Sequence, residues 1–205
     1  MACSLGGGAL AITKATPPEA LPLGILLAFA PFIVFAVVDR VVGPTAGLVA
    51  GALVSAALLL RDWITPGRTP KILEIGTMLL FGALALYATL GEPTWSVIEV
   101  RLCVDAGLLL IVLASLVLRR PFTLQYAREQ VAPDLWNSPE FLRVNYIITA
   151  VWALAFAAMV MAEFALLYIP GMHPRLGIII IVLALVGAVK FTGWYPERAR
   201  ASQKS

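Results

Sequence analysis

The sequence predicts an all-α integral membrane protein built as a bundle of six transmembrane helices. Three observations carry that reading: an apolar excess, long uninterrupted apolar runs, and a one-sided distribution of basic residues. Of the 205 residues, 60% are hydrophobic and 13% are charged. A soluble domain has roughly 45–50% and about 25% respectively. The mean hydropathy of +0.91 points the same way. Together these values exclude a soluble globular domain, a disordered regulator and a nucleic-acid-binding module.

Crossing about 30 Å of hydrocarbon takes roughly 20 apolar residues at 1.5 Å each. Six runs qualify, over residues 21–38, 41–60, 72–90, 97–118, 146–169 and 176–195. None alternates with period two, so a strand reading fails throughout. The first two runs are separated only by Asp39-Arg40 and should form a tight helical hairpin. Pro31 falls in the middle of the first and should kink it, a break that neighbouring helices can absorb. Residues 1–20 read as a flexible tail, 119–145 as an amphipathic segment between the fourth and fifth spans, and 196–205 as a short C-terminal tail. The first run lies too far from a charged leader, and too close to a second span, to be a cleaved signal peptide.

With six spans, the termini share one side with the loops after spans two and four. That side carries eleven Lys or Arg residues, against three on the other (Arg40, Arg101 and Arg175). The positive-inside rule then places both termini in the cytoplasm. Aromatic residues fit the same frame, with Trp63, Trp136 and Trp194 at the inner edge and Tyr87, Trp95 and Tyr168 at the outer one. The three hairpins differ in loop length and charge, so inverted-repeat symmetry does not point to a transporter.

Rare residues limit the chemistry. There is one histidine, His173, in a Gly-Met-His-Pro loop, and two cysteines, Cys3 and Cys103. No catalytic constellation, metal site or cofactor fingerprint emerges from these, and the Gly6-Gly7-Gly8 stretch lacks the strand and lysine of a phosphate loop. The sequence therefore reads as a non-enzyme with no cofactor and no nucleic-acid partner.

A charge at the bilayer centre costs at least about 2.5–3.5 kcal/mol on insertion scales, so ionisable residues inside spans are the sharpest anomaly. By depth they sort into an outer cluster of Glu99, Arg101, Asp105 and Glu163 and an inner one of Glu74 and Lys190. Arg101 and Asp105 are four apart and share a helical face. The plainer reading is a buried ion pair of Arg101 with Asp105 or Glu163, and snorkelling from the helix ends for Lys190 and Glu74, whose depths would also let the two meet. No charged chain joins the two clusters, which disfavours ion transport. The alternative reading is a small permease or lipid-handling protein that uses Asp105 and Glu163.

Residues 119–145 interleave Phe122, Tyr126, Leu135, Trp136, Phe141 and Leu142 with basic groups. Such a segment can lie on a membrane surface, with Arg119, Arg120, Arg128, Trp136 and Arg143 meeting anionic lipid or a partner. The plainer reading is positive-inside charge on short helices that pack under the bundle. Gly43, Gly47 and Gly51 place small residues along one face of the second span, which permits close helix approach. Packing within the chain is the first expectation for that seam and a homodimer the second.

Read together, the segments Leu21-Pro22-Leu23, Asp39-Arg40, Arg119-Arg120-Pro121, Leu135-Trp136, Asn145, Trp152-Ala153, Gly193 and Pro196-Glu197 stand in a characteristic order. Their order and spacing over about residues 21–197 resemble the intracellular septation protein A family of bacterial inner-membrane proteins. The long N-terminal tail and the inserted Phe122–Gln130 stretch mark this chain as a divergent branch of that pattern. The resemblance implies a multi-pass protein of the bacterial inner membrane. It implies a role in cell-envelope synthesis, septation and cell division through membrane lipids and other envelope proteins, and it supplies no catalytic residues.

Overall fold

A computed structural model describes residues 27–66, 69–91 and 94–201. Seven α-helices follow one another, with no strand among the described residues. They are α1 (Ala30–Val41), α2 (Pro44–Ile64), α3 (Ile72–Leu90), α4 (Val97–Val117), α5 (Phe122–Arg128), α6 (Pro139–Tyr168) and α7 (Pro174–Ala201), with a 3-10 turn at Pro133–Leu135. Five of them, α2, α3, α4, α6 and α7, are long and apolar enough to cross a membrane. The protein is thus a multi-pass helical membrane protein. α1 has 12 described residues; residues 21–26 of the first expected span lie outside the described residues, as do the tail 1–20 and residues 202–205.

Helix ends follow local chemistry. Pro31 marks the expected break in the first run. Leu27 and Ala28 are helical, Phe29 is a turn, and the helix restarts at Ala30 with proline in its first turn. Gly43 takes φ +132°, a conformation open to glycine, and Pro44 then opens α2. Ser96 and Glu99 form a reciprocal capping box at the start of α4. The end of α4 explains the Arg119-Arg120-Pro121 triplet. Arg119 adopts φ 55°, its N–H donates to the Leu116 carbonyl (3.0 Å), and the Arg120 N–H donates to the Ser115 carbonyl (2.9 Å). This is a Schellman cap, with proline next to prevent the helix from continuing.

Two boundaries differ from the sequence reading. α6 begins at Pro139, capped by the Ser138 hydroxyl, and so reaches seven residues further out than the expected start at Tyr146. α7 continues through Pro196 to Ala201, so part of the expected tail 196–205 is helix.

Consecutive long helices pack on one another in the order α1–α2–α3–α4–α6–α7. The aromatic start of α1 closes this series across the bundle. Phe29 stacks on Trp152 of α6 (centroids 4.7 Å apart), while Phe32 and Phe35 meet Phe81 of α3 at 5.1 and 5.6 Å. One apolar core gathers around Leu108, Val112, Trp152 and Phe156, and a second around Leu48, Phe81, Val100 and Val104. The apolar surfaces of the five long helices point outward, where hydrocarbon would cover them.

Candidate functional site

The sequence-predicted polar residues fall at opposite ends of the bundle, but their partners are not the expected ones. At the end where α1 finishes and α4 begins, Arg101 reaches across to Asp39. Its Nε and Nη2 donate to Oδ2 of Asp39 at 3.2 and 2.8 Å. The Asp39 side chain is fully buried and that of Arg101 is 24% exposed. The expected Arg101–Asp105 or Arg101–Glu163 ion pair is therefore corrected. The guanidinium instead meets the fully buried carboxylate of a neighbouring helix, donating twice to one of its oxygens. Asp105 and Glu163 lie on α4 and α6, two helices that pack on each other. Glu163 Oε2 and Asp39 Oδ1 are buried without a hydrogen-bond partner. Glu99 leaves the cluster altogether: its Oε2 accepts from the Ser96 N–H at 2.6 Å, at the exposed start of the helix.

At the other end, the Glu74–Lys190 contact that their depths would allow is not formed. Lys190 is exposed on α7, which packs on α6, whereas Glu74 is buried on α3. Glu74 belongs to a network centred on Lys71, the residue before α3. Lys71 Nζ contacts Asp62 Oδ2 at 2.5 Å, Glu129 Oε1 at 3.0 Å and Glu74 Oε1 at 3.5 Å. Arg61 also donates to Asp62 (2.8 Å), and the Tyr126 hydroxyl points at Glu74 (3.5 Å). Burial by itself would pull the Lys71 ammonium down. The hydrogen-bonded carboxylates of Asp62 and Glu129, with the charge of Glu74, outweigh it and hold Lys71 above its ordinary range. Burial, then the charges of Glu74 and Asp62, push the Tyr126 phenol well up, so it stays a donor.

This network fastens α5 across the end of the bundle. Phe122, Thr123, Leu124 and Tyr126 are all buried. Thr123 Oγ1 donates to the Asn145 carbonyl (2.9 Å) or shares its proton with Thr149 Oγ1 (2.7 Å), and Gln125 Oε1 accepts from the Ile72 N–H (2.8 Å). The segment 122–128 is thus packed against the ends of the helices. Among the basic residues assigned to lipid or partners, Arg119, Arg120 and Arg143 are exposed. Arg128 packs over the Trp136 ring at 5.6 Å, and Trp136 Nε1 donates to the Val131 carbonyl at 2.9 Å. Both side chains are therefore engaged within the closing segment. A mainly apolar cavity of about 430 Å³ lies behind it, lined by residues including Val131, Leu135, Phe141, Ile148 and Thr192.

The glycine seam is used within the chain. A Cβ on Gly47 would meet Asp39 backbone and Cβ atoms at 3.0–3.1 Å, and one on Gly51 would meet the Phe81 ring at 2.8 Å. Gly43 is a helix cap, not a packing position. Among the described residues no group of three or more His, Cys, Asp or Glu side chains is placed to hold a metal ion.

Sequence reasoning missed Asp39, Asp62, Lys71, Tyr126 and Glu129. The available signal was a carboxylate beside an arginine at each end of the second apolar run, Asp39-Arg40 and Arg61-Asp62. Read as turn residues, they gave no sign of their partners.

No family model, curated protein or solved structure matches this chain. The site must be interpreted from its own geometry.

Proposed function

We propose that the chain is a non-enzymatic docking protein of the bacterial inner membrane, with six spans and both termini in the cytoplasm. It would contribute to cell-envelope synthesis or septation through membrane partners and lipid, as its resemblance to septation protein A implies. In this reading the first span comprises residues 21–38, and the Asp62–Lys71 end of the bundle faces the cytoplasm. The observation that carries the proposal is the closing helix. A buried ion network and a threonine pair hold α5 against the bundle, so the adjoining Arg119, Arg120 and Arg143 are presented from an ordered platform. Arginines on such a platform pair bidentately with phosphate or carboxylate at little further ordering cost.

The test is Arg119, Arg120 and Arg143 replaced together by Gln. Capture of envelope membrane proteins by cross-linking, and of anionic lipid by native mass spectrometry, should fall about tenfold, a coupling of roughly 1.4 kcal/mol. Helix content and thermal unfolding should stay unchanged. Equal capture by the variant overturns the proposal. Reporter fusions after residues 66, 92 and 201 test the topology independently, and a periplasmic C-terminus would reverse it.

The permease reading has less support. Between the level of Asp105 and Glu163 and the Lys71 network, the helices meet through Phe81, Leu108, Val112, Trp152 and Phe156. A substrate path would have to cross that apolar layer.

A further inference from the structure

The cavity behind α5 has none of Arg119, Arg120, Arg143 or the Lys71 network in its walls, so the following stands apart from the docking reading. Its level in the membrane follows from helix lengths. α6 has 30 residues and α7 has 28, about 45 and 42 Å, whereas hydrocarbon about 30 Å thick takes roughly 20 residues of each. Counted from the turn that joins the two helices, hydrocarbon ends near Thr149 and Gly193. Ile148 and Thr192 line the deep end of the cavity, and Ser138 and Ala199 its other end. The cavity therefore begins where hydrocarbon ends and runs about 15 Å outward along α6, through the headgroup layer.

The walls change character over that length. Phe141, Val144 and Ile148 stand on one face of α6, and Val131, Leu135 and Pro196 line other sides. The polar atoms among them are turned to the protein. Thr192 Oγ1 donates to the Ala188 carbonyl (2.8 Å) and accepts from Trp152 Nε1 (2.9 Å). Thr123 Oγ1 is shared between Asn145 and Thr149, and Asn145 Nδ2 donates to the Phe141 carbonyl (2.8 Å). A polar ligand body would meet groups already committed and would lose its water without return. At the outer end stand Gln130, which is exposed, and Glu140, the only charged residue in the lining. Glu140 takes part in none of the ion pairs described. The walls are thus apolar toward the bilayer and negative away from it, the same direction as the polarity of a lipid in the adjoining leaflet.

We infer that this cavity binds the alkyl chain of a single-chain lipid whose ammonium-bearing head meets Glu140, the chemistry of a lysophosphatidylethanolamine. A volume of about 430 Å³ falls within the range of ligand sites, roughly 300–1,000 Å³, and here it is drawn out along a helix, as a chain requires. A two-chain lipid would leave its second chain in the headgroup layer, without hydrocarbon around it. An ammonium donates to the Glu140 carboxylate, whereas a head that ends in glycerol brings no cation to it.

Photolabelling of the full chain in phosphatidylcholine nanodiscs tests this, with a lysophosphatidylethanolamine that carries a diazirine at its chain end. Label should map to Val144, Ile148 and Thr192. Unlabelled lysophosphatidylethanolamine should displace it about tenfold more readily than lysophosphatidylglycerol of the same chain. Glu140→Gln should bring the two competitors within about twofold of each other. Ala199→Trp fills the outer end and should cut label at the three positions about tenfold, while label on the lipid-exposed Leu183 and Trp194 stays unchanged and shows that the variant is inserted. Replacing Arg119, Arg120 and Arg143 by Gln should leave the labelling as it was. Its loss there would place the lipid on the arginine platform and overturn the inference. So would label confined to lipid-exposed positions, as when a protein segment fills the cavity. Equal competition by lysophosphatidylglycerol or by a two-chain phosphatidylethanolamine would overturn it as well. If Ala199→Trp does not insert, the positions labelled in the unaltered protein decide the matter.

Discussion

Asp39 and Arg101 are 62 residues apart, yet Arg101 spends two donors on a single oxygen of Asp39, joining the last turn of α1 to the first turns of α4. The asymmetry of burial within the pair sets the direction of its mutational response. Arg101→Ala strands a fully buried carboxylate and should cost about 2–4 kcal/mol, toward the range for breaking buried pairs. Asp39→Ala leaves a part-exposed guanidinium that water can reach, and should cost roughly half as much. Unfolding in mixed micelles would give both values, and the double variant should recover part of the Arg101→Ala loss. Equal losses would mean that burial of Asp39 is not what matters.

The Lys71 network predicts an alkaline limit to stability. Lys71 is held above its usual value in the fold, so its contribution is complete below the unfolded value of 10.5 and is lost as pH rises beyond it. Tyr126, raised from 10.0, acts in the same direction, because the folded state retains a proton that the unfolded chain releases. Unfolding midpoints should therefore be flat in this respect up to about pH 10 and fall above it. Lys71→Met removes the cation that three carboxylates share. It should abolish the alkaline fall attributable to that residue and cost about 3–5 kcal/mol at pH 7. Hydrogen exchange over residues 122–128 should accelerate, as α5 loses its anchor.

Why these pairs escaped the sequence reading has a physical explanation. Span length and composition determine α2, α3, α4, α6 and α7, and all five appear as long apolar helices. Charge depth was also readable, but depth is one coordinate along the membrane normal. Which helices adjoin is another, and nothing local encodes it. Glu74 and Lys190 share a level and sit on helices that do not pack together, while Lys71 and Asp62 meet because they border the turn between α2 and α3. The Arg101–Asp105 spacing showed a shared face correctly, but it could not show that α1 brings a better-placed carboxylate. The glycine seam was legible as close packing, and its partners, Asp39 and Phe81, again required the helix arrangement.

Glycine positions separate packing from propensity. Gly51→Ala pushes a Cβ into the Phe81 ring, and Gly47→Ala pushes one onto Asp39 backbone, which cannot move aside like a flexible side chain. Each should destabilise by about 1–3 kcal/mol, Gly47→Ala more than Gly51→Ala. Gly187, with nothing within 4 Å of its added Cβ, is the control. Gly187→Ala should be neutral or stabilise by about 0.5–1 kcal/mol, because alanine is the better helix former. Thermal unfolding of the three variants gives the ranking. A tolerated Gly47→Ala would show that α1 and α2 do not approach as closely as described.

The cap of α4 offers a substitution in the stabilising direction. Arg119 adopts φ 55°, where its Cβ crowds the backbone, and its neighbours complete a Schellman motif that normally carries glycine at this position. Arg119 is exposed and makes none of the ion pairs described, so its side chain can be removed without unburying a partner. Relief of the left-handed strain, worth about 1 kcal/mol, is opposed by the greater freedom that glycine gives the unfolded chain. Arg119→Gly should therefore gain a few tenths to about 1 kcal/mol, whereas Arg119→Val should lose stability because a β-branched side chain tolerates positive φ poorly. The contrast between the two variants removes the same charge in both cases, so it isolates backbone conformation from electrostatics. If both shifted the unfolding midpoint equally, charge would be the cause and the left-handed cap would have no energetic weight.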